Sequence, residues 1–333
     1  EDEGAVYTVF EVLNSRGLDV DWLDKCKSML MGIAFESFSK DVAEEKINEL
    51  HQCWSKVYST IGKKIVSGRE ILSISGTLWN KEQISKPLSA EKAIDLFREY
   101  SIEQPLQIIE ISNWILDVTE KLVEIYQNNR INAVTDISHA RLLAVAIKLS
   151  DFKPFEIKEL LDWWERVTFR IFGMCRKDSR TKVGDYTKLA YIIINEKKTK
   201  EEIVEGLRVI GLDYPIDDVV KELREADCYN GWESDLKYFL YRSKQQGENI
   251  SAEIWEKIWN ASPSNTIEHI HPKGPLTANW KDKISNRQDY VDKHVNRLGN
   301  LILLPPNINS KAGRKSFSEK KIIYRQNYLK MME

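Results

Sequence analysis

The sequence predicts a mainly α protein, in which a helical body is followed by a C-terminal unit of two strands and a helix. Two observations support this fold class. From about residue 20 to 260, apolar residues recur at spacings of three and four, the period of a helix with one buried face. At about Ser262 the pattern changes to short runs bounded by proline and glycine, which are typical of strands.

The helical body is preceded by one predicted strand at 5–13 (AVYTVFEVL), which the turn sequence NSRG ends. Two apolar helical faces follow, formed by Leu23, Cys26, Leu30 and Ile33, then by Ile47, Leu50, Trp54, Val57 and Ile61. Further amphipathic stretches are 92–100, 104–129, 137–150, 155–174, 183–196, 199–210, 216–226 and 233–246. Thr199 and Glu202 have the spacing of a capping box. We interpret all of these faces as core-forming.

The C-terminal unit begins with NTIEHIHP at 265–272, which contains two of the five histidines of the chain. NTIEHI is acceptable as a short strand that Pro272 ends, and GNLILLP at 299–305 is a second, apolar strand. SFSEKKIIYRQNYLK at 316–330 returns to helical spacing. Strand, long loop, strand and helix form a ββα unit.

Charge is distributed unevenly along the chain. Of 49 Lys and Arg and 51 Asp and Glu, the residues from Ser264 onward hold 13 and 6, so a basic segment follows an acidic body. Such a segment indicates either a polyanion partner, because phosphate contacts release counterions, or a solvated helical C-terminus. Charge alone does not decide between these two interpretations.

Membrane and disulfide-rich classes are excluded by the sequence. No apolar run reaches the roughly 18 residues of a membrane helix, and the acidic start EDEGAVYTVF is unlike a signal peptide. We therefore expect a cytoplasmic protein. The four cysteines lack CxxC spacing, which argues against a zinc ribbon or a disulfide framework.

The C-terminal motifs resemble those of the HNH nucleases, whose ββα-metal site has an Asp/Glu–His pair on the first strand, an Asn at the second and a His or Asn further on. Here these positions are Glu268 and His269, then Asn300, then Asn309. More closely, IEHIHP, RLGNLILLPPNINS and SFSEKK are similar to the C-terminal nuclease domain of the GmrSD-type restriction endonucleases, bacterial proteins that attack modified phage DNA.

A second segment, FEVLNSRGLDVDWLDKCKSML at 10–30, is similar to the end of the nucleotide-binding GmrS-like domain of the same family. The DGQQR-like motif of that domain does not occur in the sequence, so we expect a fragment that neither binds nor hydrolyses nucleotide. The expected organisation is a remnant of the GmrS-like α/β domain at 1–20, a helical domain at 21–260 and an HNH nuclease domain at 261–333.

The resemblance implies metal-dependent hydrolysis of DNA, and the residue chemistry agrees with it. An unperturbed histidine side chain titrates near neutrality, so His269 is the candidate general base, with Asn300 orienting its loop by hydrogen bonding. Glu268 and Asn309 supply hard oxygen ligands that suit Mg²⁺ or Mn²⁺. The candidate phosphate contacts are Lys311, Arg314, Lys315 and Lys320, of which Lys320 is favoured.

Several alternatives stay open. His271 is either an additional phosphate contact or a solvent-facing side chain, and the second interpretation is favoured. A structural zinc site is disfavoured, because Glu268 and Asn309 are poor zinc ligands and no cysteine accompanies them. The domain could also be a degenerate DNA-binding or partner-docking module, and an intact centre would tolerate RNA. The expected partner is duplex DNA, modified or not, with no membrane; homo-oligomers and partner defence proteins are left open.

Overall fold

The computed structural model describes residues 21–62, 66–134, 136–245, 252–274, 280 and 287–326. The strand predicted at 5–13 and the GmrS-like remnant at 1–20 lie outside these residues. Within the described part of the chain, every helix is too short or too polar to cross a membrane.

The chain forms two compact units. The first comprises Glu1–Phe169 and Lys177–Asp213, and the second comprises Arg170–Arg176 and Tyr214–Glu333. Residues 214–260, which the sequence assigns to the helical body, therefore share a compact unit with the C-terminal strands. The predicted domain limits of 1–20, 21–260 and 261–333 stay predictions.

All regular secondary structure in the described residues of the first unit is helical. Its helices are α1 (Trp22–Ser37), α2 (Lys40–Ile61), α3 (Gly68–Trp79), α4 (Ala90–Glu103), α5 (Gln107–Gln127), α6 (Asn129–Asn132), α7 (Ser138–Leu149), α8 (Pro154–Phe169), α9 (Val183–Asn195) and α10 (Lys200–Ile210). Helix α2 packs against α5, α3 against α4, and α7 against α9.

The apolar faces predicted from the sequence form the core of the first unit. All nine apolar residues predicted on α1 and α2 are buried. Trp54 is fully buried, and its Nε1 donates to Ser112 Oγ at 3.2 Å, which joins α2 to α5. The capping box at Thr199 and Glu202 is present at the start of α10, where it satisfies backbone donors that the first helical turn leaves unpaired.

The second unit combines short helices with a two-stranded sheet. Its elements are a π-helical turn (Arg170–Met174), α11 (Ile216–Glu225), α12 (Glu233–Gln245), α13 (Ala252–Asn260), α14 (Pro263–Thr266), β1 (Ile267–His269), α15 (Arg287–Lys293), a 3₁₀ turn (Leu298–Asn300), β2 (Leu301–Leu303), α16 (Pro306–Ala312) and α17 (Phe317–Gln326). The predicted mainly α fold class is confirmed.

Two helices are additional to the predicted strand–loop–strand–helix order, because α15 lies in the predicted loop between the strands and α16 follows β2. Helix α16 lies between β2 and α17, and it contains Asn309, which the sequence placed near the start of the last helix. Pro305 and Pro306 favour a helix start because their φ angles are already helical. Gly313, at φ 42°, ends the helix in a conformation that side chains with a Cβ rarely adopt.

Candidate active site

Strand β1 places Glu268 and His269 in the interior of the second unit. It pairs antiparallel with β2, and the register sets His269 opposite Leu301. Pairing continues beyond the strand, since Ile270 N donates to Asn300 O at 2.9 Å. The strand is therefore regular at both residues, and consecutive side chains of a regular strand point to opposite faces.

Glu268 faces α17 and forms a buried ion pair with Lys320. Lys320 Nζ donates to Glu268 Oε1 at 2.5 Å and to His269 O at 2.9 Å. Tyr324 OH donates to the same carboxylate oxygen at 3.2 Å. Lys320 and Tyr324 are one helical turn apart, so both reach Glu268 from one face of α17. Lys320 is 0 % exposed, which does not fit its predicted contact with a DNA backbone.

Burial perturbs both members of this ion pair. It raises the pKa of the Glu268 carboxyl and lowers the pKa of the Lys320 ammonium, and the attraction between the two groups opposes both changes. Burial also raises the pKa of the Tyr324 phenol, which therefore stays a hydrogen-bond donor. Each charge of the pair depends on the other, because water cannot replace a missing partner at a buried position.

His269 faces the opposite side of β1, toward Asn296. His269 Nε2 and Asn296 Oδ1 are 3.0 Å apart, and the Tyr229 ring lies 4.5 Å from the imidazole, centroid to centroid. Burial lowers the pKa of the His269 imidazole, and the bond to Asn296 opposes this change. The ring is therefore neutral at neutral pH, the form that can accept a proton. Among the described residues, no hydrogen bond engages Nδ1.

Asn296 links His269 to a carboxylate that the sequence did not single out. Asn296 Nδ2 donates to Asp227 Oδ2 at 2.9 Å. Asp227 Oδ1 accepts from the backbone N–H groups of Tyr229 and Asn230 at 3.1 and 3.0 Å. Asp227 is an exposed residue, and partial desolvation of its carboxylate opposes ionisation, but these hydrogen bonds together hold its pKa below the usual range. Asp227 lies between α11 and α12, well before β1, and no sequence spacing points from it to His269.

Asn300 holds the loop that follows β1. Its Oδ1 accepts from His271 N at 2.8 Å, and its Nδ2 donates to His271 O at 3.1 Å and to Val295 O at 2.8 Å. These three bonds fix the backbone immediately after the His269 position. The contribution of Asn300 to activity stays a prediction.

His271 does not face solvent, contrary to the favoured interpretation of the sequence. It is 8 % exposed and lies 4.6 Å from the Trp280 ring and 4.4 Å from the Tyr290 ring, centroid to centroid. The two aromatic rings cover the imidazole, and Asn300 fixes the backbone that directs it inward. His271 is thus part of the packing behind the loop.

Asn309 and three of the predicted cations lie on or just after α16. Asn309 Nδ2 donates to Asn265 O at 2.9 Å. The Lys311, Arg314 and Lys315 side chains are exposed. The Arg314 guanidinium lies beside Gly274 on the loop after β1. A Cβ added to Gly274 would be 3.4 Å from Nε and Nη2 of Arg314. Unlike Lys320, these three cations are open to a phosphate backbone.

The side chains present do not fit the predicted Mg²⁺ or Mn²⁺ site. Glu268 Oε1 is bonded to Lys320 and Tyr324, and the regular strand directs Glu268 away from His269. A divalent ion at Glu268 would have to displace a buried ammonium from the carboxylate. Within the residues that the structure describes, no group of three or more His, Cys, Asp or Glu is placed to hold a metal ion.

This part of the chain matches a known protein family. Residues 214–332 match the family model described as GmrSD restriction endonucleases, C-terminal domain. The matched range begins where the second compact unit resumes after the first, at Tyr214. Comparison with curated proteins and with solved structures gave no match.

Proposed function

We propose that the second unit is an HNH-type DNA endonuclease that acts in bacterial defence against foreign or modified DNA, because residues 214–332 match the family model of the GmrSD restriction endonuclease C-terminal domain. One observation carries the assignment of the base. His269 is a buried imidazole with one ring nitrogen held by Asn296, while no described residue bonds to the other nitrogen. This is the arrangement of a positioned general base.

His269 acts on the attacking water in this proposal. As the water oxygen bonds to phosphorus, its proton passes to His269 Nδ1; the bond from phosphorus to the leaving oxygen breaks, and that oxygen takes a proton from solvent water. The imidazolium that forms keeps its Nε2–H on Asn296 Oδ1, and the Asp227 carboxylate behind Asn296 favours that positive charge. Lys320 and Tyr324 hold Glu268 and therefore the strand that carries His269.

The substrate backbone meets the exposed cations of α16 and the following turn. Lys311, Arg314 and Lys315 are exposed, and Arg314 lies against the loop that follows β1. Ammonium and guanidinium groups bind phosphate oxygens without regard to base sequence. These three residues therefore supply affinity for DNA, whereas recognition of a base or its modification must come from other contacts.

A second candidate function is a DNA-binding or partner-docking module with a degenerate nuclease centre. The observation that favours it is the Lys320–Glu268 ion pair, which occupies the carboxylate that the HNH resemblance assigns to a metal. The two functions differ in whether the chain turns over its substrate.

Plasmid cleavage separates the two functions. We expect the chain to nick supercoiled plasmid, and to cleave plasmid from a host that modifies its DNA faster than unmodified plasmid. Parallel assays with added Mg²⁺ or Mn²⁺ and with EDTA measure whether cleavage needs a metal ion. Structured RNA, assayed in parallel, shows whether the chain cleaves RNA instead of DNA. Binding without nicking of either plasmid at any metal concentration would establish the module and overturn the endonuclease.

The salt dependence of DNA binding tests the exposed cations. Replacing Lys311, Arg314 and Lys315 together by glutamate should flatten the plot of log K against log salt by up to about 0.9 for each phosphate that the protein no longer neutralises. The control is the same charge change on the first unit, at the exposed Lys56, Lys86 and Lys197, which should leave the slope unchanged. Equal slopes for the two triple variants would place the DNA-binding surface elsewhere.

A further inference from the structure

The chain of hydrogen bonds from Asp227 through Asn296 to His269 has only one consistent set of donors and acceptors. An ionised carboxylate can only accept, so the Asn296 group that faces Asp227 Oδ2 must be the NH₂ group. The carbonyl oxygen of the same amide then faces His269 Nε2 at 3.0 Å. A carbonyl oxygen can only accept, so His269 Nε2 must carry the hydrogen.

Backbone N–H groups hold the Asp227 carboxylate, at which this series of hydrogen bonds begins. Asp227 Oδ1 accepts from the N–H groups of Tyr229 and Asn230, and Oδ2 accepts from the side chains of Asn230 and Asn296. Four donors therefore surround the carboxylate, and every one of them requires an acceptor. Asn296 is 9 % exposed and His269 is 8 % exposed, so water has little access to alter the pattern between them.

We propose that Asp227 and Asn296 are positioning residues that hold His269 in its Nε2–H tautomer and thereby select Nδ1 as the nitrogen that takes the proton from water. The catalytic half of this inference rests on the proposed function, whereas the tautomer does not. Asp227 belongs to the segment between α11 and α12, outside the ββα unit. The centre is therefore assembled by the whole second unit rather than by the ββα segment alone.

Asp227→Asn should invert the chain of donors. The two backbone N–H groups keep the amide oxygen of the new side chain at the Oδ1 position, which puts its NH₂ group where Oδ2 accepted from Asn230 and Asn296. The Asn230 side chain is exposed and can turn its own amide oxygen toward this NH₂ group. Asn296 must then turn its oxygen toward residue 227 and its NH₂ group toward His269. Nε2 becomes an acceptor, and the hydrogen moves to Nδ1. The base nitrogen is then blocked, with almost no change in side-chain volume.

The tautomer can be measured directly by two-bond ¹H–¹⁵N correlation spectra of histidine-labelled protein, with His269→Gln identifying the His269 signals. We expect the Nε2–H tautomer in the wild type and the Nδ1–H tautomer in Asp227→Asn. The control, Asn230→Ala, removes one donor to Asp227 without reversing any bond and should keep the wild-type tautomer. A wild-type Nδ1–H tautomer overturns the inference, whether or not Asp227→Asn folds.

Cleavage kinetics separate the inference from the proposed function. Asp227→Asn should lower kcat with little change in KM, because the cations that bind DNA are untouched; a comparable carboxylate-to-amide change in a serine protease costs about 10⁴-fold through the wrong tautomer. If the wild type nicks DNA but has the Nδ1–H tautomer, the inference is wrong and the proposed function stands. The same holds if kcat is unchanged in Asp227→Asn. If the wild type has the Nε2–H tautomer but never nicks DNA, the proposed function is wrong and the tautomer assignment stands.

Discussion

Replacement of His269 by alanine is expected to remove DNA cleavage while DNA binding persists. General-base catalysis typically contributes about 10² to 10⁴-fold in rate, so the loss in kcat should fall in that range. Affinity should survive because Lys311, Arg314 and Lys315 are exposed on a different element from the buried imidazole. Nicking rates and gel-shift affinities measured on the same preparation would test both halves.

His269→Gln controls for the space that alanine leaves beside Tyr229. Glutamine fills most of that space and can donate its amide hydrogen to Asn296, yet it has no group that takes a proton at neutral pH. It should therefore fold like the wild type and lose as much activity as the alanine variant. Wild-type cleavage by either variant would mean that the base lies outside NTIEHIHP or at His271.

His271→Ala provides the contrast within the same motif. Because His271 is packed against Trp280 and Tyr290, its removal should lower the midpoint of thermal unfolding while the folded protein still cleaves DNA. If His271→Ala folds normally but is inactive, the roles of the two histidines must be exchanged.

Replacement of Lys320 is expected to have the largest effect on stability. Removing one partner of a buried ion pair typically costs about 3–5 kcal/mol, because the other charge is left buried and uncompensated. Lys320 is 0 % exposed, and Glu268 is 7 % exposed. Against a total stability of about 5–15 kcal/mol for a typical domain, Lys320→Met should leave the second unit close to unfolding. Urea denaturation followed by far-UV circular dichroism measures the decrease.

Two variants isolate the charge effect from the change in packing. The double variant Glu268→Gln/Lys320→Met removes both charges and should recover most of the stability, because a neutral pair of similar volume is tolerated at such sites. Lys321→Ala, one position along α17, should change the free energy of unfolding by less than about 0.5 kcal/mol. Equal destabilisation in Lys320→Met and in the double variant would show that packing, not charge, explains the effect.

The destabilisation by Lys320→Met should depend on pH in a defined direction. Burial already raises the folded-state pKa of Glu268 above its ordinary value of 4.5, and removal of Lys320 takes away the main opposing effect. The folded variant then holds a proton that the unfolded chain has released, so its stability falls as pH rises from 4.5 to the raised pKa. The destabilisation relative to wild type should therefore be smaller at about pH 5 than at about pH 8.

The sequence by itself determined the fold class and the apolar faces of the first unit. Spacings of three and four place side chains on one side of a helix whatever it packs against, which is why all nine apolar residues on α1 and α2 are buried. The capping box at Thr199 is equally local, because its two hydrogen bonds join residues three apart. The segments IEHIHP and RLGNLILLPPNINS likewise pointed to the family whose model matches residues 214–332.

Tertiary structure alone decided the partners of the motif residues. The spacing of Glu268 and His269 indicates two groups that act together, but the register of β1 on β2 turns one toward α17 and the other toward Asn296. Lys320 has the pattern of a surface cation in the sequence, and only the packing of α17 against β1 buries it on Glu268. Asp227 reaches His269 through folding of the chain between them, and hydrogen bonds over such separations leave no periodic trace in the sequence.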